Sequence, residues 1–215
     1  MRLYSYWRSS SAWRVRIALA WKRLEHELTP VHLLRNGGEQ NTPEFLRKNP
    51  LGQVPVLEFE ERGGIFRLTQ SLAIIEYLDE RFPERALLPS DHADRARARE
   101  LAEIVNSGIQ PHQNLPLIQR LDAAGADGSA YRKRAIERGL EAIEAIAVHS
   151  AGKFMVRDGV TLADIYLVPQ IASAKRFAVD LEPFPTLRRV DARCSELVEF
   201  QSAHPNAQPD REPEA

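Results

Sequence analysis

Residues 2–24, RLYSYWRSSSAWRVRIALAWKRL, decide how the chain begins to fold. Leu3, Tyr4 and Tyr6 lie in a short, partly alternating run that reads as a strand. Three hydroxyl residues follow, Ser9, Ser10 and Ser11. Beyond them Trp13, Ile17, Ala20, Trp21 and Leu24 recur at the spacing of one helix face. Serine favours the N-cap because its oxygen accepts a hydrogen bond from a first-turn N–H. The stretch predicts strand, serine-rich turn and helix, in that order.

Outward from there, residues 27–33 read as a second strand and 34–42 as a polar, Gly-containing loop. A short helix around 43–48 ends at Asn49-Pro50. Val54 to Phe59 alternates as a strand, Glu60 to Gly64 is a charged turn, and Ile65 to Leu68 is its hairpin partner. Gln70-Ser71 opens a helix with Leu72, Ile75, Leu78 and Phe82 on one face. Residues 1–82 thus predict β-α-β-α-β-β-α. Residues 83–90, with Pro83 and Pro89, read as a linker.

From Asp91 onward the periodicity is helical. A long helix over 91–122 is interrupted near Gly108 and Pro111, and another spans 129–148. Thr161 to Asp164 resembles a capping box with Asp in the place of Glu and leads a helix to about 178. Leu187, Val190, Cys194, Leu197 and Val198 mark a last helix; the tail after Ala203 reads as irregular. The expectation is an α/β unit over 1–82 and an all-helical unit over 91–215. The strand order does not follow from the pattern.

Bulk composition narrows the function. Of 215 residues, 43 % are hydrophobic and 27 % charged, and the net charge of -1 argues against a nucleic-acid partner. No run approaches the ~18 apolar residues of a membrane span, and the first residues carry no apolar signal core, so the expected location is cytoplasmic. A single cysteine, Cys194, permits no intrachain disulfide, and no Cys/His spacing suggests a metal site.

Three places can carry chemistry. A helix N-terminus presents unpaired N–H groups and partial positive charge, which suit an anion. Ser9, Ser10 and Ser11 at such a terminus either cap the helix or serve a thiolate. With no cysteine in the segment, that thiol has to come from outside, and glutathione is the obvious one. Val54-Pro55 begins a strand, where proline cannot donate to the ladder; a cis peptide there would turn the Val54 backbone toward an extended peptide ligand. Gln70-Ser71 opens another helix and suits a carboxylate, or simply caps. Arg8, Arg14, Arg16, Lys22 and Arg23 form either a basic cluster that attracts an acidic substrate or a solvated face.

These residues resemble the zeta-class glutathione S-transferases, also called maleylacetoacetate isomerases. Tyr6 to Leu19 looks like that family's N-terminal signature Ser-Ser-Cys-x-Trp-Arg-Val-Arg. Further similar stretches are Asn49 to Pro55, Gln70 to Leu78, Ile109 to Leu115, Thr161 to Gln170, Arg176-Phe177 and His204 to Asp210. The resemblance implies a thioredoxin-like N-terminal domain, an all-helical C-terminal domain and a homodimer. It implies glutathione held by Ser9, Gln40, Val54, the cis-proline Pro55, Gln70 and Ser71, with Gln110 and Asn114 from the helical domain. It implies Arg176 against a small anionic cis-enone substrate; Arg8, from the basic cluster, is a second candidate for the substrate's carboxylates.

The implied activity is conversion of maleylacetoacetate to fumarylacetoacetate in aromatic amino-acid breakdown. Dehalogenation or conjugation of small 2-halo acids, maleylpyruvate isomerisation, and a non-catalytic glutathione-fold protein are the alternatives. One departure stands out: Ser11 occupies the place of the family's cysteine.

Overall fold

The structure, a computed structural model, describes residues 1–212. The chain divides into two compact units, residues 1–85 with 198–215 and residues 86–197.

The first unit is built on a four-stranded sheet of order β2-β1-β3-β4. Strand β1 (Arg2–Ser5) runs parallel to β2 (Glu27–Pro30), with Leu3 opposite Leu28. It runs antiparallel to β3 (Val56–Glu61), which forms a hairpin with β4 (Gly64–Thr69). Helix α1 (Ser10–Trp21) is the crossover a parallel β1–β2 pair requires. Short helix α2 (Pro43–Leu46) and α3 (Ser71–Arg81) complete the thioredoxin-like arrangement. Tyr4, Tyr6, Trp7, Ala12, Val31, Phe45, Val54 and Val56 form one core cluster, whose Trp7 and Ala12 flank the serine turn in sequence.

Helix α1 departs from the one-face expectation: residues 12–19 are all buried, Arg14 and Arg16 included. The reason is non-local. Helix α10 (Val198–Ala203) packs against α1, as α3 does. The last helical stretch and the tail therefore belong with the first unit, not with the helical unit to which the sequence pattern assigned them. Within residues 204–212 the tail is tied down. A short turn over Pro205–Ala207 is followed by a hydrogen bond from the Trp7 N–H to Asp210.

In the second unit, α4 (His92–Glu103) passes into a widened π-helical segment, Ile104–Ile109, then α5 (Gln110–Gln113) and α6 (Leu115–Ala123). Pro111 lacks the N–H that would continue the regular ladder, so the helix loosens where the sequence predicts a break. Helix α7 (Gly128–Ser150) packs on this segment, with α8 (Leu162–Arg176) and α9 (Pro185–Ser195) following. The capping box at Thr161 forms: the buried Asp164 carboxylate accepts from the N–H and hydroxyl of Thr161 and from the Met155 N–H. Residues 83–90 are anchored at both ends. Trp21 Nε1 donates to the Arg85 carbonyl, and Leu87 and Leu88 are buried, with Leu162 N donating to the Leu87 carbonyl.

No helix among the described residues is long and apolar enough to cross a membrane. Among those residues no group of three His, Cys, Asp or Glu could hold a metal ion.

Candidate active site

Ser9 is the N-cap of α1, and its oxygen accepts the Ala12 N–H at 3.2 Å. Ser10 is the first helical residue and is half-buried. Ser11 Oγ lies 3.0 Å from Ser9 Oγ and donates to the Val54 carbonyl at 3.0 Å. A hydroxyl has one proton, so Ser11 spends its own on Val54 and Ser9 must donate to Ser11. The result is a directional chain from the Ala12 N–H through Ser9 and Ser11 to Val54. It joins the helix start to the loop before β3.

That loop contains a cis peptide bond at Val54-Pro55. It is braced by buried Asn49, whose Nδ2 donates to the Gln53 carbonyl at 2.7 Å and whose Oδ1 accepts the Leu51 N–H at 3.1 Å. Val54 is buried, with its carbonyl held by Ser11. Gln40 sits in the loop after β2, its Nε2 bonded to the Leu33 carbonyl and its Oε1 buried with no partner. A buried acceptor without a partner is what a donor on a peptide ligand such as glutathione would complete.

Gln70 precedes α3 with φ 70 and ψ 117, a left-handed conformation that costs a non-glycine residue about 1–3 kcal/mol and concentrates at functional sites. Its exposed side chain makes no capping bond, so the simple-cap alternative does not hold for Gln70. Ser71 is buried as the first residue of α3.

The basic cluster does not form a substrate-facing surface. Arg14, Arg16 and Lys22 are buried. Arg16 donates to the Tyr6, Trp7 and Ala203 carbonyls and to Ser5 Oγ, and burial lowers its pKa to about 10, leaving it charged at neutral pH. Lys22 pairs with Asp79 at 2.5 Å and donates to the Phe82 and Glu84 carbonyls. Arg8, half-buried, stands with its guanidinium 5.4 Å from the Trp7 ring centre.

In the helical unit, Gln110 Nε2 donates to Asn114 Oδ1 at 2.9 Å. This pair continues through Gln113 to a reciprocal amide pair with buried Gln170, at 3.2 and 3.1 Å. Arg176 ends α8 on the surface, its guanidinium 5.4 Å from the Phe177 ring centre. His112, singled out for its polar patch, bonds Tyr131 Oη at 2.7 Å. Sequence reasoning missed two carboxylates beside the site, Asp210 and Glu212. The signal was the stretch His204 to Asp210, similar to the family but given no role.

Known proteins resemble this chain along nearly its whole length. The glutathione S-transferase N-terminal domain family matches residues 8–81. Maleylacetoacetate isomerase of Mus musculus is 45 % identical over 97 % of this chain and 94 % of its own length. The crystal structure of maleylacetoacetate isomerase from Anaeromyxobacter dehalogenans 2CP-1, with glutathione bound in the active site, is 52 % identical. It covers 97 % of this chain and 96 % of its own, with a TM-score of 0.89. A holo structure of maleyl pyruvate isomerase, a bacterial glutathione S-transferase in the zeta class, is 43 % identical with a TM-score of 0.91, covering 99 % of this chain and all of its own. The serine turn at the head of α1, the cis-proline loop and full-length identity of this order together make the chain a member of the zeta-class glutathione S-transferase and maleylacetoacetate isomerase family.

Proposed function

We propose that this chain catalyses the glutathione-dependent cis–trans isomerisation of maleylacetoacetate to fumarylacetoacetate. One observation carries the reading: a helix start built for an anion, in a protein with no thiol of its own to place there. The single cysteine, Cys194, is fully buried, and burial pushes its thiol far above the usual range. Bound glutathione supplies the thiolate that adds reversibly to the substrate's double bond and leaves once the bond has rotated.

The chain's own residues do the rest. The Ser9 hydroxyl turns from Ser11 to donate to the negative charge, which the α1 N-terminus also favours. Ser10 and Ser11 shape that turn, and Ser11 fixes the Val54 carbonyl. Val54 with Pro55, Gln40, Gln70 and Ser71 bind the peptide, and Gln110 and Asn114 are assigned to the same ligand by family resemblance. Arg8 and Arg176 are assigned to the carboxylates of a small anionic cis-enone, because guanidinium matches carboxylate geometry. Cationic and N–H donors also lower the barrier as charge grows on the enol oxygen.

The chain is further proposed to act in the cytoplasm as a homodimer. Strand β4 is an edge strand that exposes Ile65 and Phe66, and such an edge calls for a cover. Light scattering that gives a monomer would remove this part.

Purified protein incubated with maleylacetoacetate should form the fumaryl isomer only when glutathione is present, at constant total thiol. Thiol consumed in step with a 2-halo acid, without isomerisation, would instead establish a conjugating transferase. The likeness to a maleyl pyruvate isomerase supports a second, neighbouring reading, and comparing kcat/KM for the two substrates decides between them.

A further inference from the structure

We propose that the C-terminal segment 204–212 is a strap that fixes both loops assigned to glutathione, with Asp210 and Glu212 as positioning residues. The proposal deepens the reading above and rests on its assignment of Ser9 and Gln40.

Asp210 Oδ2 accepts the Trp7 N–H at 2.9 Å, across 203 positions of sequence. Trp7 is two residues before Ser9, and the Ser9 N–H closes the turn onto the Tyr6 carbonyl at 2.9 Å. On the other side of the same residue, Arg16 holds the Trp7 carbonyl at 3.0 Å and the Ala203 carbonyl at 3.1 Å. Both backbone polar groups of Trp7 are thus tied to residues 203 and 210, one directly and one through Arg16.

Glu212 holds the second loop. It bonds His32 Nε2 at 3.0 Å and the Arg35 guanidinium. His32 Nδ1 accepts the N–H groups of Leu34 and Arg35, so its proton sits on Nε2 and points at Glu212. The His32 N–H donates to Glu39 at 2.7 Å, and Gln40 bonds back to Leu33. His32 is therefore the hub of the loop that carries Gln40.

The strap itself buries no residue fully; His204 meets the Trp13 ring edge-on, and Asp210 and Glu212 make polar contacts to the loops. Pro205 and Pro209 restrict its backbone, which lowers the entropy lost in holding it. A misplacement remote from the chemistry can cost up to about 100-fold in rate, so such bracing has a measurable effect.

The test uses full-length Asp210→Ala, Asp210→Asn and Glu212→Ala. Amide hydrogen exchange, glutathione KM and kcat for isomerisation are read below each variant's melting temperature. Asp210→Ala should speed exchange over residues 7–12 and lower kcat about tenfold, while Asp210→Asn, which keeps the acceptor, should stay within about twofold of wild type. Glu212→Ala should raise glutathione KM about fivefold at unchanged kcat, with faster exchange confined to residues 32–41. Unchanged exchange and kcat in Asp210→Ala, or equal losses in Asp210→Ala and Asp210→Asn, would overturn the proposal. If Asp210→Ala does not fold, Glu212→Ala decides, and an unchanged KM overturns it. A wild type that does not isomerise, with variants that still show the expected exchange, removes the proposed reaction and leaves the strap standing.

Discussion

Ser11 Oγ donates to the Val54 carbonyl at 3.0 Å, so one hydroxyl ties the first turn of α1 to the cis-proline loop. The family signature has cysteine here. A thiol is a weaker donor than a hydroxyl, so this chain couples its two ligand-facing segments more firmly. Ser11→Ala should cost about 1 kcal/mol of stability, the usual net value of one hydrogen bond. It should raise glutathione KM several-fold while kcat moves little, because Ser9 keeps its cap bond to Ala12. Denaturant melts and steady-state kinetics check both parts.

His204 makes the stability of the first unit pH-dependent. Its ring meets Trp13 edge-on at 5.0 Å, and its Nδ1 accepts the Asn206 N–H. Burial first, then the charges of Arg16 and Arg211, hold its pKa below the ordinary imidazole value of 6.5. A depressed histidine stabilises the fold above its unfolded pKa, and that stability is lost as pH falls through the folded pKa. Urea midpoints between about pH 7.5 and about pH 5, which bracket the ordinary imidazole range, should fall toward acid. They should fall less steeply in His204→Gln.

Gly139 lies at a close helix contact in the second unit. A Cβ at that position would lie 2.2 Å from Ile109 Cγ1 and 2.3 Å from its Cδ1, and Ile109 is fully buried. Overpacking of a tight core costs about 1–3 kcal/mol. Gly139→Ala should therefore lower the melting temperature even though alanine is the better helix former. A rise would mean that Ile109 has room to move.

Local periodicity was enough to read most elements, because strand alternation, helix spacing and caps are written in neighbouring residues. Ser9 as N-cap and the Thr161 box follow from that grammar. The burial of Arg14, Arg16 and Lys22 did not, because a charged residue on a helix reads as solvated or ligand-facing until its distant partners are known. For Arg16 and Lys22 these are the carbonyl of Ala203 and the carboxylate of Asp79. The tail was illegible for the same reason: Asp210 and Glu212 acquire meaning only once Trp7 and His32 lie beside them. Gln70-Ser71 reads as a carboxylate-binding helix start or a simple cap, and the positive φ of Gln70, which composition does not reveal, comes without a capping bond.

The central claim is that Ser9 and the α1 N-terminus hold a thiolate for a protein that has none. Titrating the thiolate absorbance of bound glutathione in wild type and Ser9→Ala, alongside turnover, tests it most directly. The account predicts a wild-type thiol pKa well below the ordinary ~8.5, a return toward that value in Ser9→Ala, and a loss of about 10²–10³ in kcat. Identical titrations and equal turnover in the two proteins would contradict it.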